Sequence, residues 1–174
     1  GDYLHGYMVN AGFGENIKAW HREHSEVPLH FFWDKQDEAE VCKVDDTLSF
    51  HQIDDMKFLH YMAGCRAYAT TAGFESVCEA MYLGKPLLMV PAHIEQDCNA
   101  YDAARTGAGV VSDEFDLRRL LNFSEDYRPD ANFRYWVQSC DRRIMHHIEA
   151  AMCLSHYPSP AFPYLCCSLS DVAL

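Results

Sequence analysis

Positive charge is scarce in this 174-residue chain. Lys and Arg together number 14 against 26 Asp and Glu, a formal net charge of −12 at pH 7. So acidic a surface repels phosphate backbones and anionic lipid, which excludes nucleic acid or a membrane surface as the main partner. No apolar run approaches the ~20 residues of a membrane helix. No basic-then-apolar leader opens the chain, although processing would remove one. The eight cysteines (42, 65, 78, 98, 140, 153, 166 and 167) include no C-x-x-C pair. Zinc-ribbon and thioredoxin chemistry therefore lack their signature. Several cysteines fall in apolar periodic segments, where a free thiol behaves as a small hydrophobe; a reduced, cytoplasmic protein is expected. There is no internal repeat and no low-complexity segment.

Apolar residues make up 49% of the chain and charged residues 23%. That suffices for one well-packed domain of ordinary size with a tail, and not for two full α/β domains. Short β-rich runs alternate with helical stretches. Strands are predicted at Tyr3–Asn10, Pro28–Trp33, Thr47–His51, Arg66–Thr70, Pro86–Val90 and Gly109–Ser112. Between them, helices are predicted over Glu15–His24, from an Asp54 cap through Ala63, over Phe74–Leu83, over Asp97–Thr106, and around Leu117–Asn122. Asp34–Asp46 reads as an acidic surface loop. The pattern predicts an α/β fold: a Rossmann-like, doubly wound parallel sheet of about six strands covered on both faces. Phe133, Trp136, Val137, Cys140, Ile144, Ile148 and Met152 recur at helical steps and predict one long amphipathic helix, Asn132 to about Cys153. Pro158, Pro160 and Pro163 then exclude helix from the tail, Tyr157–Leu174.

Six strands in such a sheet most often take the order 3-2-1-4-5-6, which opens a crevice at the carboxyl ends of strands 1 and 4. Those ends carry Asn10-Ala11-Gly12-Phe13-Gly14 and Thr70-Thr71-Ala72-Gly73. Both are small, glycine-bearing turns entering helices, where free N–H groups and the helix dipole suit an anion, most plausibly a phosphate. Gly73, Ser76 and Glu79 are spaced three apart, on one early helix face. Gly73 and Ser76 are placed to donate to a diphosphate, and the Glu79 carboxylate to accept from ribose hydroxyls. After the fifth strand, Glu95 and Gln96 offer groups that read sugar hydroxyls, with Asn99 bracing their loop.

The stretch Thr70-Thr71-Ala72-Gly73-Phe74-Glu75-Ser76-Val77-Cys78-Glu79-Ala80-Met81-Tyr82-Leu83-Gly84-Lys85-Pro86, followed by Pro91, Glu95-Gln96 and Asn99-Ala100, resembles the donor-binding signature of GT-B nucleotide-sugar glycosyltransferases. The resemblance covers residues 47–122 well and the first two strand-helix units loosely. It implies a two-domain enzyme of which this chain is the C-terminal, donor-binding half. Diphosphate contacts would come from Gly12, Gly73 and Ser76, ribose contact from Glu79, base contact from the backbone around Gln52 and Ile53, and donor-sugar contact from Glu95 and Gln96. The donor is a substrate, most plausibly a UDP-sugar; no cofactor or metal is implied. The acceptor-activating base would lie in the N-terminal domain, so no catalytic residue is expected here. Residues 1–131 would form the nucleotide-sugar-binding domain. Residues 132–174 would pack on it or on the N-terminal domain.

There are departures from the pattern. Thr71 stands where many plant-type members have His, and Glu75 where they have Asn. A carboxylate at 75 must point away from a diphosphate. Two rival readings are a sugar-nucleotide 2-epimerase, which would want a Ser-Gly-Gly turn and an Arg near Glu95, and a non-catalytic sugar-nucleotide or interaction module. His21 with His24, and His146 with His147, read as solvated helix faces, because no third metal ligand accompanies either pair.

Overall fold

The computed structural model describes residues 1–10, 12–35 and 37–155, without the side chains of 153–155. The proline-rich tail with Cys166 and Cys167, and the side chain of Cys153, lie outside what is described. Seven strands form one sheet: β1 (Leu4–Met8), β2 (Leu29–Trp33), β3 (Val41–Lys43), β4 (Leu48–Gln52), β5 (Ala67–Thr70), β6 (Leu87–Met89) and β7 (Gly109–Val111). Their order is β3-β4-β2-β1-β5-β6-β7. Every pairing is parallel except β3 with β4. Without β3 this is the expected 3-2-1-4-5-6 winding. The reversal falls between β1 and β5, paired from Leu4↔Ala67 to Tyr7↔Thr70.

The helices of the first compact unit, Gly1–Val137, are α1 (Phe13–Glu23), α2 (Asp55–Gly64), α3 (Phe74–Tyr82), α4 (Ile94–Arg105), α5 (Leu117–Asp126) and α6 (Ala131–Gln138), the last running one residue past it. Alternate strand residues feed two separate cores. Leu4, Phe31, Phe50, Ala69 and Leu88 pack with Ile17 of α1 and with Leu117 and Leu120 of α5. Tyr68, Leu87 and Met89 pack with Met62, Val77, Ala80, Ala100 and Ala103 of α2, α3 and α4. This is the period-2 logic of a sheet buried on both faces. Gly84 and Gly107 end α3 and α4 at φ +68° and +76°, a conformation that favours glycine.

Three expectations need correction. The acidic stretch Asp34–Asp46 is not only loop. Val41–Lys43 forms edge strand β3, and Asp45 turns the chain into β4 by accepting from the backbone N–H of Thr47 and Leu48, both at 2.8 Å. Those bonds hold its carboxyl at about 2, below the usual carboxylate range.

His21 is not on a solvated face. It is buried, and its Nε2 lies 3.0 Å from Asp45. Its neighbour His24 stacks on Trp20 at 4.1 Å.

The long amphipathic helix is two helices, α6 and α7 (Cys140–Ser155), interrupted at Ser139. The interruption falls at a residue type whose hydroxyl competes for backbone groups. α7 belongs to the second unit, which begins at Gln138.

Candidate functional site

The carboxyl edge of the sheet carries the candidate residues on successive β-to-α turns. The turn after β5 is the most constrained. Ala72 is fully buried and left-handed at φ +64°, alone in this among the described non-glycine residues. An alanine there is strained by roughly 1–2 kcal/mol. Its neighbours hold it in place. Its N–H donates to Thr70 Oγ1 at 3.3 Å, and its carbonyl accepts from Asn99 Nδ2 at 3.1 Å. Asn99 also donates to Glu95 Oε1 at 2.8 Å, so one amide ties the start of α4 to the start of α3. The bracing expected of Asn99 is thus present, and it spans two turns.

Gly73 caps α3 at φ −61°, ψ 138°, with no side-chain hydrogen bond to the helix start. Any residue can adopt that backbone. A Cβ there would meet only Ser76 Oγ, at 3.8 Å, ordinary van der Waals contact. Gly6 of β1 is the opposite case, since a Cβ would collide with the Phe31 ring. Packing therefore explains Gly6, while neither conformation nor packing explains Gly73. Gly73 leaves the start of α3 without a side-chain cap. Ser76 is half-buried; its Oγ donates to Gly73 O at 3.2 Å and lies 3.4 Å from Thr70 Oγ1. Glu79 is half-buried one turn on. Burial, then Glu75 and Asp55, push its carboxyl above the ordinary value. Glu75 is exposed.

The other candidates differ among themselves. After β1, Asn10 already holds the turn: its Oδ1 accepts from Gly12 N–H at 2.9 Å and its carbonyl from Phe13 N–H at 3.1 Å. After β6, His93 starts α4 without a side-chain cap. Glu95 is exposed, whereas Gln96 is 3% exposed and its Oε1 accepts from Ala92 N–H at 2.9 Å. Gln96 thus braces its own loop from inside. At the end of β4, Gln52 Nε2 donates to Glu38 O at 2.6 Å, and Ile53 is exposed. None of the candidate residues is basic.

Two features were not anticipated. One is the strain at Ala72, which an alanine in a sequence does not announce. The other is a histidine row under α2. His5, His30 and His51 come from three adjacent strands. His5 Nδ1 donates to His30 O at 3.3 Å, and Ser49 Oγ is shared by His30 Nδ1 at 2.7 Å and His51 Nε2 at 2.9 Å. Burial, with no carboxylate in hydrogen-bond contact with the three rings, lowers His5 to about 3 and His51 to about 4. Among the described residues no group of three or more His, Cys, Asp or Glu could hold a metal ion.

A doubly wound sheet whose winding reverses between β1 and β5 defines a Rossmann-like α/β domain. The sequence model of the family described as Glycosyl transferase family 1 matches residues 22–127. The chain belongs to that family, and its fold is that of GT-B glycosyltransferases. It superposes on the glycotransferase of kitacinnamycin with a TM-score of 0.65 at 14% identity, over 79% of this chain and 39% of that one. On CalG4, the calicheamicin glycosyltransferase, the TM-score is 0.56 at 18% identity, over 89% and 44%. A putative UDP-glucuronosyltransferase of Caenorhabditis elegans is 35% identical over 52 residues, 30% of this chain and 10% of that protein. The chain thus spans about two fifths of the solved relatives and a tenth of the curated one.

Proposed function

We propose that this chain is the donor-binding half of a glycosyltransferase that moves a sugar from a nucleoside diphosphate sugar, most plausibly a UDP-sugar, to an acceptor hydroxyl. The observation that carries the reading is the start of α3. A glycine required by neither backbone nor packing leaves the helix N–H groups open, with Ser76 and Glu79 following on the same face. The diphosphate would lie on the amides after Gly73, with Ser76 donating to it and Gly12 at the turn beside it. Glu79 would accept from the ribose hydroxyls. The base would meet the backbone at Gln52 and Ile53, and the donor sugar Glu95, steadied by the buried Gln96. As the nucleoside diphosphate leaves, negative charge grows on its phosphates, where fixed N–H dipoles stabilise it without a metal. An acidic chain needs such a device, because it holds a phosphate without basic side chains.

The acceptor and the base that activates it would belong to an N-terminal half. Val9, Ile53, Phe74 and Ile94, exposed apolar residues at this same carboxyl edge, support a covering partner there. The chain alone would bind donor without turning it over. Residues 1–131 would form the binding domain, with the C-terminal helical segment packing on it or on the partner half. Cys42, Cys65, Cys78, Cys98 and Cys140 are free thiols, which supports a reducing, cytoplasmic setting. No helix among the described residues is long and apolar enough to cross a membrane.

Calorimetric titration with UDP, TDP and GDP tests the reading. Binding of at least one is expected, and Glu79→Ala should weaken it by ~1–3 kcal/mol, the scale of a lost charged hydrogen bond. Nucleotide binding that ignores Glu79→Ala would remove the ribose role.

A further inference from the structure

Two buried hydroxyls at the site, those of Tyr68 and Thr71, lack a hydrogen-bond partner, and Tyr68 is the one beneath α3. Tyr68 lies on β5 two residues before Thr70, and so on the same sheet face, under α3. It is 0% exposed, and its ring stacks on His5 at 5.0 Å. Its hydroxyl lies close enough to those of Ser76 and Thr70 to interact with them, yet no partner meets it at full hydrogen-bond distance and angle. Packing needs only the ring; a phenylalanine would fill the space without an unsatisfied O–H. The hydroxyl therefore serves something that the free chain lacks.

Ser76 shows what that is. It has one proton, now donated to Gly73 O at 3.2 Å. To donate to a diphosphate it must turn from that carbonyl, and its lone pairs are then best satisfied by a donor from beneath. Thr70 Oγ1 accepts from the Ala72 N–H at 3.3 Å and can give its own proton to one Ser76 lone pair, 3.4 Å away, which leaves the second. The Tyr68 O–H is unused. Burial raises its pKa well above the ordinary phenol value, so it stays protonated as a donor.

We propose that Tyr68 is a positioning residue for the donor diphosphate: its O–H donates to Ser76 Oγ when Ser76 turns outward, which directs the Ser76 proton at a phosphate oxygen. No proton changes owner; only hydrogen bonds rearrange. The inference rests on Ser76 contacting the diphosphate.

The test is a double-mutant cycle read by calorimetry with UDP, or with TDP or GDP where that nucleotide binds instead. Four full chains are compared: the unaltered protein, Tyr68→Phe, Ser76→Ala and the double variant. Tyr68→Phe should weaken binding about threefold to tenfold, the value of one neutral hydrogen bond. Its Tm should be unchanged or higher, because an unsatisfied buried hydroxyl is gone. In the Ser76→Ala background the same change should have no further effect.

Unchanged affinity in Tyr68→Phe overturns the proposal. So do losses that multiply in the double variant, or a lowered Tm, which would mark a structural role. If Ser76→Ala binds like the unaltered chain, the inference falls while the rest of the site stands. If the unaltered chain binds none of the three nucleotides, the reading of the site falls, and the inference with it.

Discussion

The helices that follow the outermost parallel strands start differently from those that follow the inner ones. After β4, Asp54 caps α2 by accepting from the Lys57 N–H at 2.8 Å; after β7, Asp116 caps α5 by accepting from the Arg119 N–H at 3.2 Å. After β5 and β6, α3 and α4 begin at Gly73 and His93 with no side-chain cap. α1, after β1, is intermediate. It also has no helix cap, but Asn10 occupies the N–H groups of Gly12 and Phe13. Aspartate is among the best caps, and it is also the residue that would most repel a phosphate. After β4 and β7, where no phosphate contact is proposed, the chain uses it. At the switch point it forgoes a cap, and beside it tolerates a left-handed alanine, which is the pattern that the proposed diphosphate site at α3 calls for.

That contrast can be broken by moving a cap. Gly73→Asp gives α3 the start that α2 and α5 have. The backbone there accepts aspartate and a Cβ has room, so stability should hold or rise by a few tenths of a kcal/mol. Nucleotide affinity should fall by about 2–3 kcal/mol, roughly thirtyfold to over a hundredfold, as a fixed carboxylate replaces open N–H groups. A variant that melts like the parent yet still binds like it would end the contrast.

Acid probes the histidine row under α2, which runs from β1 at the switch point out to β4. Burial lowers the His5 pKa to about 3 and the His51 pKa to about 4, below the unfolded value near 6.5. Below that value the unfolded chain takes up protons that the folded chain refuses. Stability is therefore complete above about pH 6.5 and drains as the pH falls toward 4. His5 alone accounts for on the order of 2 kcal/mol by pH 5. Thermal melts at pH 7.5 and pH 5 should show the loss, and equal melting temperatures would mean that the histidines titrate freely.

The smallest expected effect is at the far end of the sheet. Asp116→Ala removes the α5 cap and should cost about 1 kcal/mol in a denaturant titration. Nucleotide binding should not move. If it weakened along with stability, the outer starts would not be merely structural.

Much of the winding was legible because strand periodicity and glycine-ended turns are local signals; the switch point between β1 and β5 follows from them. Strand β3 was not legible. It is three residues long inside an acidic run, and its partner comes from the next strand. The break at Ser139 was hidden by apolar spacing that continues across it. In the site, Gly73, Ser76 and Glu79 could be placed on one helix face from their spacing. The inward turn of Gln96 could not, because the Pro91–His93 loop decides it through the Ala92 N–H. The histidine row was equally hidden. His5, His30 and His51 are far apart in the chain and meet only through strand register.

Open main-chain amides at the start of α3 are proposed to grip a diphosphate. Amide proton and nitrogen shifts, followed while UDP is titrated into the isotope-labelled chain, read this directly. The largest movements should fall on Phe74, Glu75 and Ser76, with Leu117, Arg118 and Arg119 of the capped α5 left in place. Saturating nucleotide that leaves the three α3 amides as still as those of α5 would contradict it.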